Sequence, residues 1–439
     1  MYIIGINFGY KETTASLYDT ENRLGMVKRL HILDGNTSES CIIESAVGRN
    51  WRGGEWQLVK DVCDCCVPDI SNDFIGPMNA MTPKKKEAFA AFVRLVFAHI
   101  LKNQEFLHYN PVTGERNFEI YVALGKENID QAKEYKNFIS SIIPLDWVIP
   151  DSMAVYFKFK TEKGYKGNFW GSSALVINID SRSIDFTAYN ENGKQSLLKV
   201  YEHGSSAIEN LIYKYFEEHD EDFNKAKKEG EAALCSCENL DWRNAVIHYI
   251  KEEVRYFYDY ERSLLCLDLS NRSICNVKGR VFDDCTISEK QLEDEILAPY
   301  RQTLLQDMND VKQRLAKEKN GIPEVVILTG ESSRMPWLQR LVKDTFSDSN
   351  LFRDNDSSYV VSDGLAYYGT GIHKMKSAIE NLKTSIATVF HEFHIQDYNT
   401  AYADYVISKM QDFLEDEHML EYAKKEPEKQ EEPIRLKKS

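Results

Sequence analysis

The sequence is short of positive charge, of membrane-length apolar runs and of paired cysteine motifs. Its Lys+Arg total of 54 stands against 69 Asp+Glu, a formal net charge of −15. That deficit argues against a general nucleic-acid binder, which needs clustered Lys and Arg to neutralise phosphates. No stretch approaches the roughly 18–20 uninterrupted apolar residues of a membrane span, so no membrane partner is expected. Nine cysteines is an odd number for a disulfide framework, and a chain of 439 residues needs no such staples. Cys63, Cys65 and Cys66 cluster, as do Cys235 and Cys237, but neither group has the C-x-x-C spacing of a zinc knuckle. They read as thiols, and no metal is assigned to them. The opening M-Y-I-I-G-I-N-F-G lacks the basic start and small-residue cleavage site of a signal peptide, so a reducing cytoplasm is the expected location.

What is present is the composition of a soluble globular chain, 43% hydrophobic and 28% charged. The length allows two to four packed units at about 100–200 residues each. Short segments rich in β-branched and aromatic residues predict strands over Tyr2–Phe8, Thr14–Tyr18, Phe118–Leu124, Ala174–Ile179, Ile184–Tyr189, Leu264–Leu269 and Glu324–Thr329. Helical spacing places Ile247, Ile250, Val254 and Phe257 on one face of Val246–Phe257. Ser288 with Gln291 reads as a capping box opening a helix that runs towards Lys319. Strands and helices mixed in this order predict an α/β fold. Glu421–Ser439, dominated by Lys, Glu and Pro, cannot bury enough apolar surface to order itself and reads as a disordered tail.

Three segments carry candidate chemistry. Ile3–Asp19 reads as a β-hairpin with its turn at Gly9; it is either an ordinary hairpin or one whose backbone N–H groups converge on an anion. Ala174–Tyr189 repeats that design, which suggests a duplicated fold with a cleft between its halves. In Glu324–Phe346 an apolar strand ends at Gly330, and a polar turn leads into a helix with Pro336 in its first turn. A strand leading into a helix N-terminus is a natural place for a polar ligand.

G-E-S-S-R-M-P-W-L-Q in the third segment resembles the adenosine motif G-G-S-T-R-I-P-x-V-Q of the heat-shock protein 70 chaperones, which share a superfamily with actin and the sugar kinases. Ile6–Gly9 resembles that family's first phosphate loop and Asn178–Asp185 its second. Further segments at His203, Cys285 and Ser362 come in the family's order, so the resemblance spans roughly Met1 to Ile372. It implies a two-lobed actin-like ATPase (ribonuclease-H-like) fold with duplicated mixed sheets around a central cleft. The implied lobes are 1–170 and 171–361, with a closing helix over 362–375, a helical extension over 376–420 and the tail over 421–439. The stretch after Ile372 is too short for the family's peptide-binding sandwich and lid.

The implied ligand is ATP or ADP. The resemblance places Asn7, Gly9, Tyr10 and Lys11 at the first phosphate loop, Asn178, Asp180, Ser181 and Arg182 at the second, and Gly204 and Ser205 beside it. Glu252 and Arg255, with Tyr256 able to stack, would close over the nucleoside. Gly330, Ser332 and Ser333 would form the adenosine turn, where Glu331 replaces a glycine. Arg334 would stack on adenine, and Asp363 matches the acid of the last motif. The family's two magnesium-organising aspartates are replaced by Asn7 and Asn178, which keep the shape but lose the charge. A register slipped by two would instead offer Asp180. Lys11 and Arg182 are either substitute phosphate ligands or solvated charges. Magnesium is therefore doubtful and hydrolysis expected to be weak or absent. Lys60 is the nearest candidate for the family's catalytic lysine, and Asp151 sits one place late for its connecting acid. His391 and His394, in H-E-F-H, lack zincin spacing. The implied action is through conformational state or a protein partner such as a co-chaperone. An active ATPase chaperone component, a nucleotide-free scaffold and a small-molecule kinase are the rivals.

Overall fold

A computed structural model describes residues 1–21, 25–33, 40–49, 55–58, 69–71, 75–164, 172–191, 193–233, 242–269, 283–317, 321–354, 356–392, 405 and 408. It is an α/β structure of two lobes with mixed sheets. Lys60, Cys63, Cys65, Cys66, Cys235, Cys237, His394 and the tail at 421–439 lie outside the described residues. Among the described residues no helix is long and apolar enough to cross a membrane.

The first lobe starts with the hairpin β1 (Tyr2–Phe8) and β2 (Glu12–Asp19), in which Phe8 pairs with Thr13. Short strands β3 (Val27–Arg29) and β4 (Ile42–Glu44) both pair with β2. A side sheet is made by β5 (Val47–Arg49), β6 (Trp56–Leu58) and β7 (Asp69–Ser71). Helix α1 (Pro83–Asn103) is capped by Thr82, whose side chain accepts from the Lys85 N–H, and has Pro83 in its first turn. Then come β8 (Phe118–Leu124), α2 (Ala132–Ser140), β9 (Trp147–Pro150) and α3 (Asp151–Gly164). The main sheet runs β3-β2-β1-β8-β9.

The second lobe repeats this plan. Its hairpin is β10 (Ala174–Ile179) with β11 (Ile184–Tyr189), followed by β12 (Gln195–Tyr201), α4 (Ser206–His219), α5 (Glu221–Ala233) and α6 (Trp242–Asp259). The pair β13 (Leu264–Leu267) and β14 (Cys285–Ser288) precedes α7 (Ala298–Lys317), β15 (Val325–Thr329), α8 (Pro336–Thr345) and β16 (Asn350–Arg353). The sheet runs β12-β11-β10-β15-β16. In each lobe an antiparallel hairpin is extended by two parallel strands, as a duplicated fold requires. The capping box forms: Ser288 Oγ donates to Gln291 Oε1 at 2.9 Å and accepts from its backbone N–H at 3.3 Å. A π-helical turn over Gln291–Ile296 leads into α7.

Alternation along each strand sends side chains to two different cores. On β10, Leu175, Ile177 and Ile179 join the core under α4, α6 and α7. Ala174 and Val176 face the other way, against Val155, Tyr156 and Phe159 of α3. On β1, Ile4, Ile6 and Phe8 meet Phe89 and Phe92 of α1. Ile3 instead faces Leu365 and Ala366 of the last helix, α9 (Val360–Glu392). Both faces of both sheets are thus covered, which is why these strands read as nearly continuous apolar runs.

Helices α3 and α9 cross between the lobes, α3 under the second sheet and α9 under the first. They touch backbone to backbone, because a Cβ on Gly364 would land on the Ala154 carbonyl. Beside the crossing, Lys158 is almost wholly buried. Its Nζ lies 2.8 Å from Glu162, 2.8 Å from Asp354 and 3.7 Å from Asp363. The boundary expected at 375 corrects to a continuous helix: α9 runs from Val360 to Glu392 without a break, carrying His391. The sequence between offers no proline to stop it.

Candidate functional site

The two hairpin turns face one another across the junction of the lobes. On the first, Gly9 offers its carbonyl to Ser45 Oγ at 2.6 Å, and the Lys11 carbonyl receives the Ser45 N–H at 2.8 Å. On the second, the Asp180 carbonyl accepts from Ser205 N–H at 2.8 Å, and that of Ser181 from Ser206 N–H at 2.9 Å. Gly204 packs so tightly on this turn that a Cβ would collide with its backbone. Gly204 and Ser205 therefore do belong to the second loop. Asp180 turns its carboxylate onto the Ser181 N–H of its own loop.

Arg182 connects the turns. Its guanidinium carbon lies 3.3 Å from the centre of the Tyr10 ring, and its Nη2 donates to the Ile75 carbonyl at 2.7 Å. A planar cation on an aromatic face at this range is attractive. Below it, Asn178 on β10 pairs with Asp185 on β11, and its Nδ2 donates to Asp185 Oδ2 at 3.1 Å. The same oxygen receives Lys126 Nζ at 2.9 Å. Both members of this ion pair are buried, with 8% and 1% of their side chains exposed.

Lys126 was not legible as a site residue, yet it had a signal. It stands two places after β8, a strand parallel to β1, at the same carboxyl end from which the first loop springs. Ligands of open α/β sheets gather at that end. Burial opposes its charge, but Asp185, and beyond it Asp180 and Asp151, outweigh burial and hold the ammonium protonated well above the ordinary lysine value.

The third segment abuts the second loop. Gly330 has φ +89°, and a Cβ there would strike the Ile179 carbonyl. Ser332 and Ser333 are buried in the next turn. Ser181 Oγ and Ser333 Oγ, one on each turn, have no hydrogen-bond partner among the described residues. Arg334 Nη1 is 2.9 Å from Asp259 at the end of α6, and its Nε reaches Ser357 Oγ at 3.5 Å.

One expectation needs correction. Asp363 does not reach the loops: it accepts from Ser16 Oγ at 2.6 Å and faces Lys158, because it lies on the side of α9 that packs on β2. Glu252 and Arg255 are exposed, since Val254 and Phe257 set the buried face of α6. On α6, His248 lies 3.6 Å from Glu44 and Lys251 3.7 Å from Glu12, both carboxylates of the first lobe. Asn7 is the last residue but one of β1 and pairs with Thr14. A groove of about 540 Å³ between α4 and the start of α7, lined by His203, Asn210, Lys214, Arg243 and Tyr300 among others, includes none of the residues expected from the sequence.

Asp151 opens α3 near Lys126 and Asp185, with its Oδ1 accepting the Ser152 N–H at 2.6 Å. Burial first, then Asp185, push its carboxyl up to about 8, against the help of Lys126. The folded state then keeps a proton that the unfolded chain loses near pH 4, roughly the free aspartate value. Stability from this group is therefore lost as pH rises from about 4 to about 8. Asp151→Asn should flatten that decline, so the variant's melting midpoint should fall less than wild type's between about pH 5 and about pH 8. Parallel profiles would show that Asp151 is ionised in the fold.

Comparison with protein-family models gives no match to this chain, and comparison with curated proteins gives none either.

Proposed function

We propose that the chain is an adenine-nucleotide-binding protein with the actin-like ATPase fold, similar to the nucleotide-binding domain of the heat-shock protein 70 chaperones. ATP or ADP lies between the paired loops, hydrolysis is weak or absent, and the output is lobe position or a protein partner. The observation that carries this reading is the meeting of two loops from equivalent corners of two sheets with matching strand order, sealed by Arg182 on Tyr10. The Gly330 turn, pressed on the second loop, supports the adenosine assignment. The two buried hydroxyls, which have no protein partner among the described residues, are what a polar ligand in that crevice would satisfy.

A second reading rests on a specific observation as well. Lys126 and Arg334 are paired to carboxylates, and Arg182 to a ring and a carbonyl. A cleft whose cations are already engaged by protein groups suits a nucleotide-free scaffold for another protein. Calorimetric titration with ATP and ADP, with and without magnesium, separates the two. Binding of both nucleotides is expected, with magnesium changing affinity by less than about tenfold, since two neutral amides hold the usual aspartate places. Arg334→Ala should weaken binding by about 0.5–2 kcal/mol through loss of stacking. No heat with either nucleotide favours the scaffold, and robust hydrolysis abolished by EDTA favours an active ATPase.

A further inference from the structure

A magnesium ion beside nucleotide phosphates is held by one or two carboxylates and keeps an octahedral oxygen shell. The described cleft does not supply that donor set. Asn7 and Asn178 offer neutral amides. The carboxylate beside Asn178 is Asp185, on the neighbouring strand β11, and its Oδ2 already accepts from Lys126 at 2.9 Å and from Asn178 at 3.1 Å. Among the described residues no three His, Cys, Asp or Glu side chains are grouped so as to hold a metal ion, so the residues present do not fit a divalent ion.

We propose that the Lys126 ammonium is a tethered counter-cation that stands in place of the divalent ion, so the cleft receives its phosphorylated ligand free of metal. This deepens the nucleotide reading and rests on it for the ligand's identity. The cation comes from the first lobe, just past β8, and its carboxylate from β11 of the second. The pair is buried, so water neither screens nor replaces it. Asp180 and Asp151 lie near enough to act on the same ammonium. Without Lys126, Asp185 would face Asp180, Asp151 and Glu127 with no ammonium among them, leaving negative charge that a divalent ion could offset. With Lys126, an incoming ion meets a like charge already seated at Asp185 Oδ2.

The test needs no nucleotide. Manganese(II) is titrated into the full-length protein while free manganese is monitored by electron paramagnetic resonance. Wild type should show no saturable site below millimolar concentration. Lys126→Met should gain manganese affinity by at least about tenfold, because a like charge a few ångströms away is removed. Adding Asp185→Asn to that variant should abolish the gain. Failure of Lys126→Met to bind manganese better than wild type overturns the proposal. Should that variant not fold, wild type alone decides: a saturable manganese site that Asp185→Asn removes overturns the proposal, and absence of any site upholds it. If the chain binds no nucleotide these outcomes are unaffected. If it binds nucleotide only with magnesium, the counter-cation fails while the nucleotide reading stands.

Discussion

Lys158→Met should cost about 3–5 kcal/mol of folding stability, the usual penalty for removing one partner of a buried ion pair. The methionine fills the space but strands carboxylates that lie 2.8 Å, 2.8 Å and 3.7 Å from the wild-type ammonium. Burial alone would raise the Asp354 carboxyl, yet Lys158 holds it below its ordinary value. That stability is present above the unfolded-state value and is lost as pH falls through the folded one. In the variant the stranded groups can take up protons, so its deficit should shrink on acidification. Thermal melts at neutral and acidic pH check both claims. A neutral-pH loss below about 1 kcal/mol would show that the carboxylates simply turn to water, as surface pairs do.

The second large effect is expected at Gly330. Alanine there must adopt φ +89° and must also push its Cβ into the Ile179 carbonyl. A strained backbone position costs about 1–3 kcal/mol, and the clash is with backbone, which cannot swing aside. Gly114→Ala is the control: φ is +75° but nothing lies within 4 Å, so only the conformational cost applies. Gly330→Ala should melt well below Gly114→Ala, and where folded should bind nucleotide at least about tenfold more weakly, a difference of about 1.4 kcal/mol. Equal melting points for the two variants would mean the turn is free to move off the second loop. In that case the adenosine assignment loses its geometric support.

Local rules carried the strands further than the site. Tyr2–Phe8, Phe118–Leu124, Ala174–Ile179 and Ile184–Tyr189 form as expected, because two-sided burial writes an unambiguous apolar run. The Ser288–Gln291 box is equally local. The cross-lobe contacts were not legible. Lys126, His248 and Lys251 find their carboxylates only when the lobes dock, and no periodicity encodes a partner 59 or more residues away. Asp363 misled for the opposite reason. It sits in the expected motif, but the face of α9 it occupies is fixed by packing on β2.

The Gly364–Ala154 contact limits how the two halves can move. Sliding α9 along α3 by one turn, about 5.4 Å, would bring Val360 or Tyr368 onto that carbonyl, and neither has room. Tilting leaves the contact in place. The crossing is thus a pivot rather than a slide, with α3 riding on one lobe and α9 on the other. From Gly364 the helix continues to Glu392, about 40 Å at 1.5 Å per residue. A swivel of about 10° at the pivot would carry that far end through about 7 Å over such a length. Small changes of angle at the loops would therefore be read out, lever-fashion, at the opposite end of α9.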